Sequence, residues 1–301
     1  MTERILLTGV TGQVGGELVR TLATFGEVIA PTRDEMDLAN TASIREQIRA
    51  LRPRWIVNPA AYTAVDKAES EPELAYAINA EAVRAMGEGA REIGAGVIHF
   101  STDYVFDGTG GVPYRESDPA GPVSVYGASK LAGERALAES GAEYMVFRTS
   151  WVYGATGKNF LRTILKAARE RERLRVVADQ YGAPTWSRDL ARMTAQVIGR
   201  VEDRAQQKEL AEALTEFSGV YHAAGSGETT WFGFATEAIK QIREREPAAK
   251  LAEVDAIATS EYPTPAKRPA NSRLNCERLT EKFGWRMMDW RDSLREVIAE
   301  V

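Results

Sequence analysis

RILLTGVTGQVG (residues 4–15) is the most informative stretch of the chain for its fold. Its apolar run predicts a β-strand over Arg4–Thr8, and a helix is predicted directly behind it at Gly12–Phe25. Glycines at positions 9, 12 and 15 permit a tight turn and a close approach of the backbone, so a pyrophosphate can lie on the helix N-terminus. A glycine-rich βα turn without a ligand is the alternative. The position of the turn after the first strand of a βαβ series favours a dinucleotide site.

Strands and helices alternate through the first half of the chain. Further strands are predicted at Glu27–Ala30, Trp55–Asn58, Val97–Ser101 and Tyr144–Thr149, and further helices at Ala42–Leu51 (capped by Thr41), Glu73–Ile93 and Tyr126–Glu139. Strands separated by helices of this length are typical of a parallel sheet with helices on both faces. We therefore expect an α/β fold with a Rossmann-type, doubly wound parallel sheet.

The second half is less regular and predicts a smaller C-terminal substrate-binding domain. Strands are expected at Leu174–Val177 and Val220–Ala223, and three prolines predict an extended segment at Tyr262–Pro269. We place an NAD(P)-binding Rossmann domain at residues 1–150. Residues 151–301 would be mainly a sugar-nucleotide-binding domain, with parts of the chain returning to the first.

The composition excludes several classes of protein. The 301 residues carry 38 Lys+Arg against 43 Asp+Glu, a formal charge of −5, which provides no basic field for nucleic acid or an anionic membrane. Cys276 is the only cysteine, so an internal disulfide and a cysteine-based zinc site are excluded. The chain shows no secretory signal pattern and no membrane-spanning run, which predicts a cytoplasmic protein.

The residues after the second predicted strand bear on the choice of nicotinamide cofactor. An acidic residue there binds the ribose 2′-hydroxyl of NADH, whereas an arginine accommodates the 2′-phosphate of NADPH. Arg33 is followed by Asp34 and Glu35, so either cofactor is possible; Arg33 favours NADPH, with Asp37 and Leu38 near the adenine. A solvated charge cluster on a loop explains the same residues equally well.

Tyr126 and Lys130 stand four residues apart at the start of a predicted helix and therefore share one face. A nearby ammonium stabilises phenolate, which would lower the pKa of the tyrosine from about 10 and suit it to exchange a proton with a carbonyl oxygen. A surface tyrosine beside a solvated lysine is the alternative. Thr102, at the carboxyl end of the fourth strand, could bond the same oxygen as Tyr126, because ligands bind at that edge of open α/β sheets.

Together, Gly9–Gly15, Thr102 and Tyr126-x-x-x-Lys130 resemble the extended short-chain dehydrogenase/reductases. Longer blocks narrow the resemblance to the dTDP-4-dehydrorhamnose reductases, namely NPAAYTAVDKA (58–68), STDYVF (101–106), YGASKLAGE (126–134), FRTSWVYG (147–154), DQYGAPT (179–185) and YPTPAKRPANSRL (262–274). The resemblance covers nearly the whole chain. It implies NAD(P)H-dependent reduction of the C4 ketone of dTDP-4-dehydro-β-L-rhamnose to dTDP-L-rhamnose, a step in the synthesis of cell-surface polysaccharide.

Site residues follow from the same resemblance. It implies catalytic roles for Thr102, Tyr126 and Lys130. Cofactor contacts are implied for Gly9, Gly12, Gln13, Val14, Ala61, Tyr62, Thr63, Phe100, Tyr126 and Lys130, and contacts with the sugar for Val65, Thr102, Asp103, Tyr104 and Trp151. Arg268 is a candidate clamp for the nucleotide diphosphate, with a surface ion pair as the equal alternative.

Two other functions stay open. One is a non-catalytic regulatory or binding subunit of the same fold, and the other is a reductase or epimerase of another nucleotide-linked 4-keto sugar. The intact set of Thr102, Tyr126 and Lys130 favours an enzyme over a subunit. Tyr104 stands where the similar 4,6-dehydratases carry a glutamate, and it cannot act as a carboxylate base.

Some members of this family are dimers bridged by magnesium through glutamates. Glu17 matches one ligand position, but the others fall on Arg188 and Arg291, and an arginine repels a divalent cation. We therefore expect no bound metal and either a monomer or a homodimer without a magnesium bridge. His99 and His222 are expected to be structural strand residues.

Overall fold

The structure, a computed structural model, describes residues 3–301. The first half contains strands β1 (Arg4–Leu7), β2 (Glu27–Ile29), β3 (Trp55–Asn58), β4 (Gly96–Thr102) and β5 (Tyr144–Thr149), with helices α1 (Gln13–Leu22), α2 (Thr41–Leu51), α3 (Val65–Ala68), α4 (Pro72–Tyr76), α5 (Ala82–Ile93) and α6 (Val125–Glu139). The second half contains β6 (Val152–Tyr153), α7 (Phe160–Glu170), β7 (Arg173–Val177), β8 (Tyr181–Gly182), β9 (Thr185–Trp186), α8 (Ser187–Ala205), α9 (Leu210–Phe217), β10 (Gly219–His222), β11 (Thr229–Thr230), α10 (Trp231–Arg245), β12 (Glu253–Ile257), α11 (Glu277–Phe283) and α12 (Trp290–Ile298).

Six of these strands form one sheet in the order β2-β1-β3-β4-β5-β10, and every neighbouring pair is parallel. The order turns back at β1, because β2 lies on one side of it and β3 on the other. The predicted α/β fold with a doubly wound parallel sheet is thus confirmed. The carboxyl ends of β1, β3, β4 and β5 all open at one edge, where ligands bind in such folds.

Apolar side chains on alternate positions cover the two faces of the sheet. Ile5 and Leu7 join one core with Leu18 of α1 and Val197 of α8. Leu6 faces the other core, which includes the helical side chains Ile44, Ile48 and Met86. Because α8, α9, β10 and α11 all contribute to the first core, the second half of the chain is built into the same sheet as the first half.

Two helices differ from their predicted form. The cap of α2 is Asn40, whose side chain accepts the backbone N–H groups of Ala42 and Ser43, so the prediction of Thr41 was wrong. The helix expected over Glu73–Ile93 is interrupted by a π-helical turn at Ala77–Glu81. That turn carries Asn79, whose buried side chain bonds the backbone of Tyr62 and the hydroxyl of Ser129.

The second half also holds a small parallel sheet of β7 and β12, covered by α7 and α10 through a separate apolar core. Helix α9 and strand β12 were not predicted. Within residues 3–301, no helix is both long enough and apolar enough to cross a membrane.

Candidate active site

The glycine turn between β1 and α1 forms the floor of a cleft at the carboxyl edge of the sheet. Gly9 has φ +61°, and a Cβ at Gly15 would lie 2.1 Å from the carbonyl oxygen of Gly9. At Gly15 only glycine avoids a clash with the backbone of Gly9, so the turn stays tight. Helix α1 then begins at Gln13 with its N-terminus toward the cleft. This arrangement fits a diphosphate, because unpaired N–H groups and the positive end of the helix dipole face the same space.

The cleft, of about 470 Å³, runs from this turn to the start of α6. It is lined by nine of the predicted site residues, Gly9, Gly12, Gln13, Val14, Ala61, Thr63, Phe100, Tyr126 and Lys130. The same surface also includes residues that were not predicted, Thr11, Pro59, Ala60, Ser101, Thr149, Val152 and Lys158. A dinucleotide whose diphosphate lay on the turn would reach toward Tyr126 and Lys130 at the other end.

Thr102 and Tyr126 meet where β4 ends and α6 begins. Ser124 caps α6 by accepting the N–H of Gly127, so Tyr126 lies in the first turn of the helix. The Thr102 side chain interacts with the Tyr126 hydroxyl and also donates to Asp103 Oδ1 at 3.0 Å. Two hydroxyls are therefore presented together, as stabilisation of one substrate oxygen requires.

The expectation that Lys130 lowers the pKa of Tyr126 was wrong for this geometry. Burial raises the pKa of Tyr126, and the negative charge of Asp103 adds to the rise. The Lys130 amine instead contacts the carbonyl oxygen of Phe100 at 2.7 Å and the ring of His99 at 3.2 Å. Burial also lowers the pKa of Lys130 to about 8, because a buried ammonium loses its hydration.

A buried ion pair fixes the helix that carries these groups. Arg148 on β5 donates to Glu134 on α6 at 2.6 Å, and Ser101 on β4 donates to the same carboxylate at 2.5 Å. Glu134 and Arg148 are almost inaccessible to solvent, and removal of one partner from such a pair is strongly destabilising. The pair ties α6 to the ends of two strands and holds the first turns of the helix in place.

A second cavity adjoins the cleft and contains part of the predicted sugar pocket. Tyr104 and Arg268 line it, together with Phe160, Arg175, Gln180, Trp231, Tyr262 and Thr264, which were not predicted. Val65 and Arg268 line the space that connects it to Lys158. Tyr104 also packs edge-on against Tyr126, with ring centroids 5.4 Å apart. The second cavity, lined by Tyr104, therefore lies next to the cleft, lined by Tyr126.

Arg268 fits both alternatives considered from the sequence, a clamp for the nucleotide diphosphate and an ion pair. Its guanidinium donates to the Tyr104 hydroxyl at 3.0 Å and to Asp66 at 2.6 Å. It is thus part of an ion pair, and it also lines the second cavity. Asp103, by contrast, is 3% exposed and lies behind Thr102.

Four predicted cofactor residues do not line the cleft. Arg33 is 82% exposed on the loop after β2, 3.9 Å from Asp37. Leu38 packs against the second apolar core. The Tyr62 hydroxyl donates to Glu71 at 2.6 Å, so its side chain is directed away from the cleft. No pattern in the sequence distinguished these positions, since each follows a strand at the ligand-binding edge.

Arg188, one of the two arginines at the expected magnesium-ligand positions, forms salt bridges. Arg188 donates to Glu17 at 3.0 Å and to Glu300 at 2.9 Å, while Arg291 lies over the ring of Trp290. Among residues 3–301, no three His, Cys, Asp or Glu side chains are grouped in a way that could hold a metal ion.

Comparison with known proteins gives one consistent family. Residues 3–301 match the family described as RmlD substrate binding domain. The chain is 48% identical to a dTDP-4-dehydrorhamnose reductase of Burkholderia thailandensis, over 96% of this chain and 95% of that protein. It is 46% identical to the enzyme of the same name from Escherichia coli, over 99% and 97%.

Solved structures agree. The dTDP-4-dehydrorhamnose reductase of Bacillus anthracis, solved in complex with NADP, superposes with a TM-score of 0.88 at 34% identity and covers all of both chains. A UDP-glucose 4-epimerase of Thermus thermophilus shares the fold, with a TM-score of 0.75 at 20% identity over 99% of this chain and 98% of that one. The predicted resemblance is confirmed: the chain belongs to the dTDP-4-dehydrorhamnose reductase family.

Proposed function

We propose that the protein catalyses the NAD(P)H-dependent reduction of the C4 ketone of dTDP-4-dehydro-β-L-rhamnose to dTDP-L-rhamnose. The observation that carries the proposal is the meeting of Thr102 and Tyr126 where a dinucleotide cleft joins a second cavity. Full-length similarity to reductases of this name supports the substrate. The intact Thr/Tyr/Lys set argues against a non-catalytic subunit.

The cleft would hold the cofactor through the glycine turn at one end and Lys130 at the other. Bound NADPH or NADH supplies the hydride that adds to C4. The solved relative that contains NADP and the exposed Arg33 support NADPH as the preferred form.

The side chains supply the proton and orient the ketone. The raised pKa of Tyr126 keeps its phenol protonated at neutral pH, which is the form that gives a proton to the C4 oxygen. Thr102 would orient that oxygen by a second hydrogen bond when its hydroxyl, which donates to Asp103 Oδ1 in the structure, turns to the ketone. Lys130 would hold the cofactor at its end of the cleft, because its amine is fixed by the carbonyl oxygen of Phe100 and does not lower the pKa of Tyr126.

The sugar nucleotide would occupy the second cavity. Trp231 and Phe160 offer flat apolar surfaces for the deoxysugar, and Arg268 and Arg175 offer positive charge to the diphosphate. We further propose that the enzyme acts in the cytoplasm, as a monomer or as a homodimer that needs no metal.

The direct test is oxidation of NADPH and of NADH, followed by nicotinamide absorbance, with the keto sugar generated in situ. One cofactor should be consumed per sugar reduced. Tyr126→Phe should lower kcat by about 10³-fold, within the range for loss of a general acid, while cofactor binding persists.

Turnover of the sugar without net cofactor oxidation would indicate an epimerase. Cofactor binding without any turnover would favour the non-catalytic subunit or a different keto sugar.

A further inference from the structure

A buried polar chain leads from the middle of the sheet to Lys130. Thr8 follows β1, Asn58 ends β3 and His99 lies within β4, and these three residues are at most 3% exposed. Thr8 Oγ1 lies 2.6 Å from Asn58 Oδ1, Asn58 Nδ2 lies 3.0 Å from His99 Nδ1, and His99 Nε2 lies 3.2 Å from Lys130 Nζ. The sequence analysis gave His99 no role beyond the strand, yet its ring contacts the amine of the lysine that lines the cleft.

The contacts of Lys130 account for most of its hydrogen-bonding capacity. A lysine ammonium has three donors and no acceptor. The carbonyl oxygen of Phe100 takes one donor and His99 Nε2 faces the second, which leaves one for the cleft. The imidazole and the carbonyl oxygen together determine where that remaining N–H points.

We propose that His99 is a positioning residue for the reaction: supported by Asn58 and Thr8, it holds Lys130 in place and changes tautomer when the lysine gains or loses its proton. The proposal rests on the proposed function to the extent that Lys130 holds the cofactor beside Tyr126.

The tautomer and the lysine charge are linked by hydrogen-bond donors and acceptors. Burial and the charge of Lys130 lower the pKa of His99 well below its usual value, so the ring is neutral and has one donor and one acceptor nitrogen. When Nε2 accepts from an ammonium, Nδ1 must donate, either to the amide oxygen of Asn58 or to the backbone carbonyl of the same residue. When Nδ1 accepts from the Asn58 NH₂ group, as in the structure, Nε2 donates and its partner is a neutral amine.

Thr8 allows both arrangements. Its hydroxyl donates to Asn58 Oδ1 as found, and it can equally accept from the amide NH₂ if the carboxamide turns over. Both ring nitrogens of His99 therefore stay paired in either protonation state of Lys130, and an unpaired buried nitrogen would be costly.

Other ionisable groups near Lys130 set the background for its titration. They are Tyr126 and Glu134 on the same helix, Asp103 after β4, Arg148 on β5, which neutralises Glu134, and Lys158 across the cleft. Of these, Glu134 stabilises the ammonium.

The test that needs no substrate is a ¹⁵N NMR titration of the imidazole nitrogens. The chain has two histidines, and His222→Gln identifies the signals of His99. We expect His99 to stay neutral and to change from the Nδ1–H to the Nε2–H tautomer near pH 8, the lowered pKa of Lys130. His222, whose Nδ1 lies 3.0 Å from the carbonyl oxygen of Tyr114, should keep one tautomer.

Lys130→Met should abolish the change at His99. A single His99 tautomer at all pH values in the native enzyme, or the same change in Lys130→Met, would overturn the proposal.

Kinetics provide the second test. His99→Gln keeps an acceptor beside the amine and should retain kcat within about threefold, whereas His99→Leu should lose at least about tenfold, the effect of one charge-assisted hydrogen bond. The fall in rate at alkaline pH should move to higher pH in His99→Gln, because the amide always accepts, and to lower pH in His99→Leu.

A structural role alone would lower the thermal stability of both variants without moving the pH profile, and that result would contradict the proposal. If the native enzyme does not reduce the sugar, the proposed function fails, while the NMR titration still decides the role of His99.

Discussion

The indole of Trp151 lies face to face with that of Trp231, with ring centroids 3.6 Å apart and planes inclined by 13°. Trp151 has φ +47°, a backbone conformation that costs a non-glycine residue of order 1 kcal/mol or more. Gly182 leaves room for its other face, since a Cβ there would lie 2.5 Å from the indole. Packing on both faces thus holds Trp151 in a strained conformation, while Trp231 borders the second cavity.

This arrangement predicts that Trp231, rather than Trp151, contacts the sugar nucleotide. Trp231→Leu should raise KM for the sugar nucleotide by about tenfold, from the loss of aromatic stacking area, and leave KM for NADPH unchanged. Steady-state kinetics with each substrate varied in turn measure both. Trp231→Phe, which keeps a flat ring, is the matched control and should raise KM for the sugar nucleotide by less. An equal rise in the two KM values would show that the change is not local.

Asp103 should make the stability of the protein depend on pH. Burial raises the pKa of Asp103 from 3.8 to about 6. Between these values the folded state keeps a proton that the unfolded state releases, so stability falls as pH rises through this window, by about 3 kcal/mol in total. Asp103→Asn should therefore be more stable than the native protein at about pH 7.5 and equally stable at about pH 4, as urea denaturation would measure.

Asp107 provides a control of opposite sign. Hydrogen bonds from the Thr109 backbone and from the Tyr114 hydroxyl lower its pKa to about 2, so Asp107→Asn should be less stable than the native protein at neutral pH. A loss of stability in Asp103→Asn at both pH values would contradict the expected direction.

Arg33 should determine the preference for NADPH. Arg33→Ala should raise KM for NADPH by about fivefold, the low end for an exposed charge-assisted contact with phosphate, and leave KM for NADH unchanged. Asp34→Ala is the neighbouring control. If KM for NADPH does not change, Arg33 is one member of a solvated charge cluster, the alternative considered from the sequence.

The Arg188 salt bridge predicts that the native protein does not respond to magnesium. Magnesium or EDTA should leave both its sedimentation and its melting temperature unchanged. Arg188→Glu would bring a third carboxylate beside Glu17 and Glu300, and its melting temperature should fall through charge repulsion and recover when Mg²⁺ is added. Arg188→Ala should show the fall without the recovery; recovery in both variants would mean that magnesium acts elsewhere.

The strands of the central sheet were predicted well because each is a short apolar run. Such a run can be recognised in the sequence without knowing which strand it pairs with. The bounds of every strand of the six-stranded sheet, including β10, were predicted to within two residues. Strand β12 was missed because its five residues (EVDAI) become a strand only beside β7, where Val254 pairs with Leu174. The α2 cap was misassigned by one residue because Asn40 and Thr41 are both good capping residues.

The candidate site was predicted where contacts come from local order along the chain and missed where they come from tertiary packing. Tyr126 and Lys130 share a helix face, so their spacing alone placed them together. Trp231 follows Trp151 by eighty residues, and no pattern links the two. His99 was assigned to the core because its neighbours are apolar; only the packing of α6 against β4 brings Lys130 to its ring.

The sixth strand of the sheet has a consequence for how the protein is made. β10 pairs with β5 only after the 69 residues between them (150–218) have been synthesised, so the β5 edge stays open on a growing chain during that interval. An unpaired edge of a buried parallel strand invites association with other chains. A fragment ending at residue 150 would keep that edge permanently, and we expect it to aggregate rather than to act as a free-standing cofactor-binding unit.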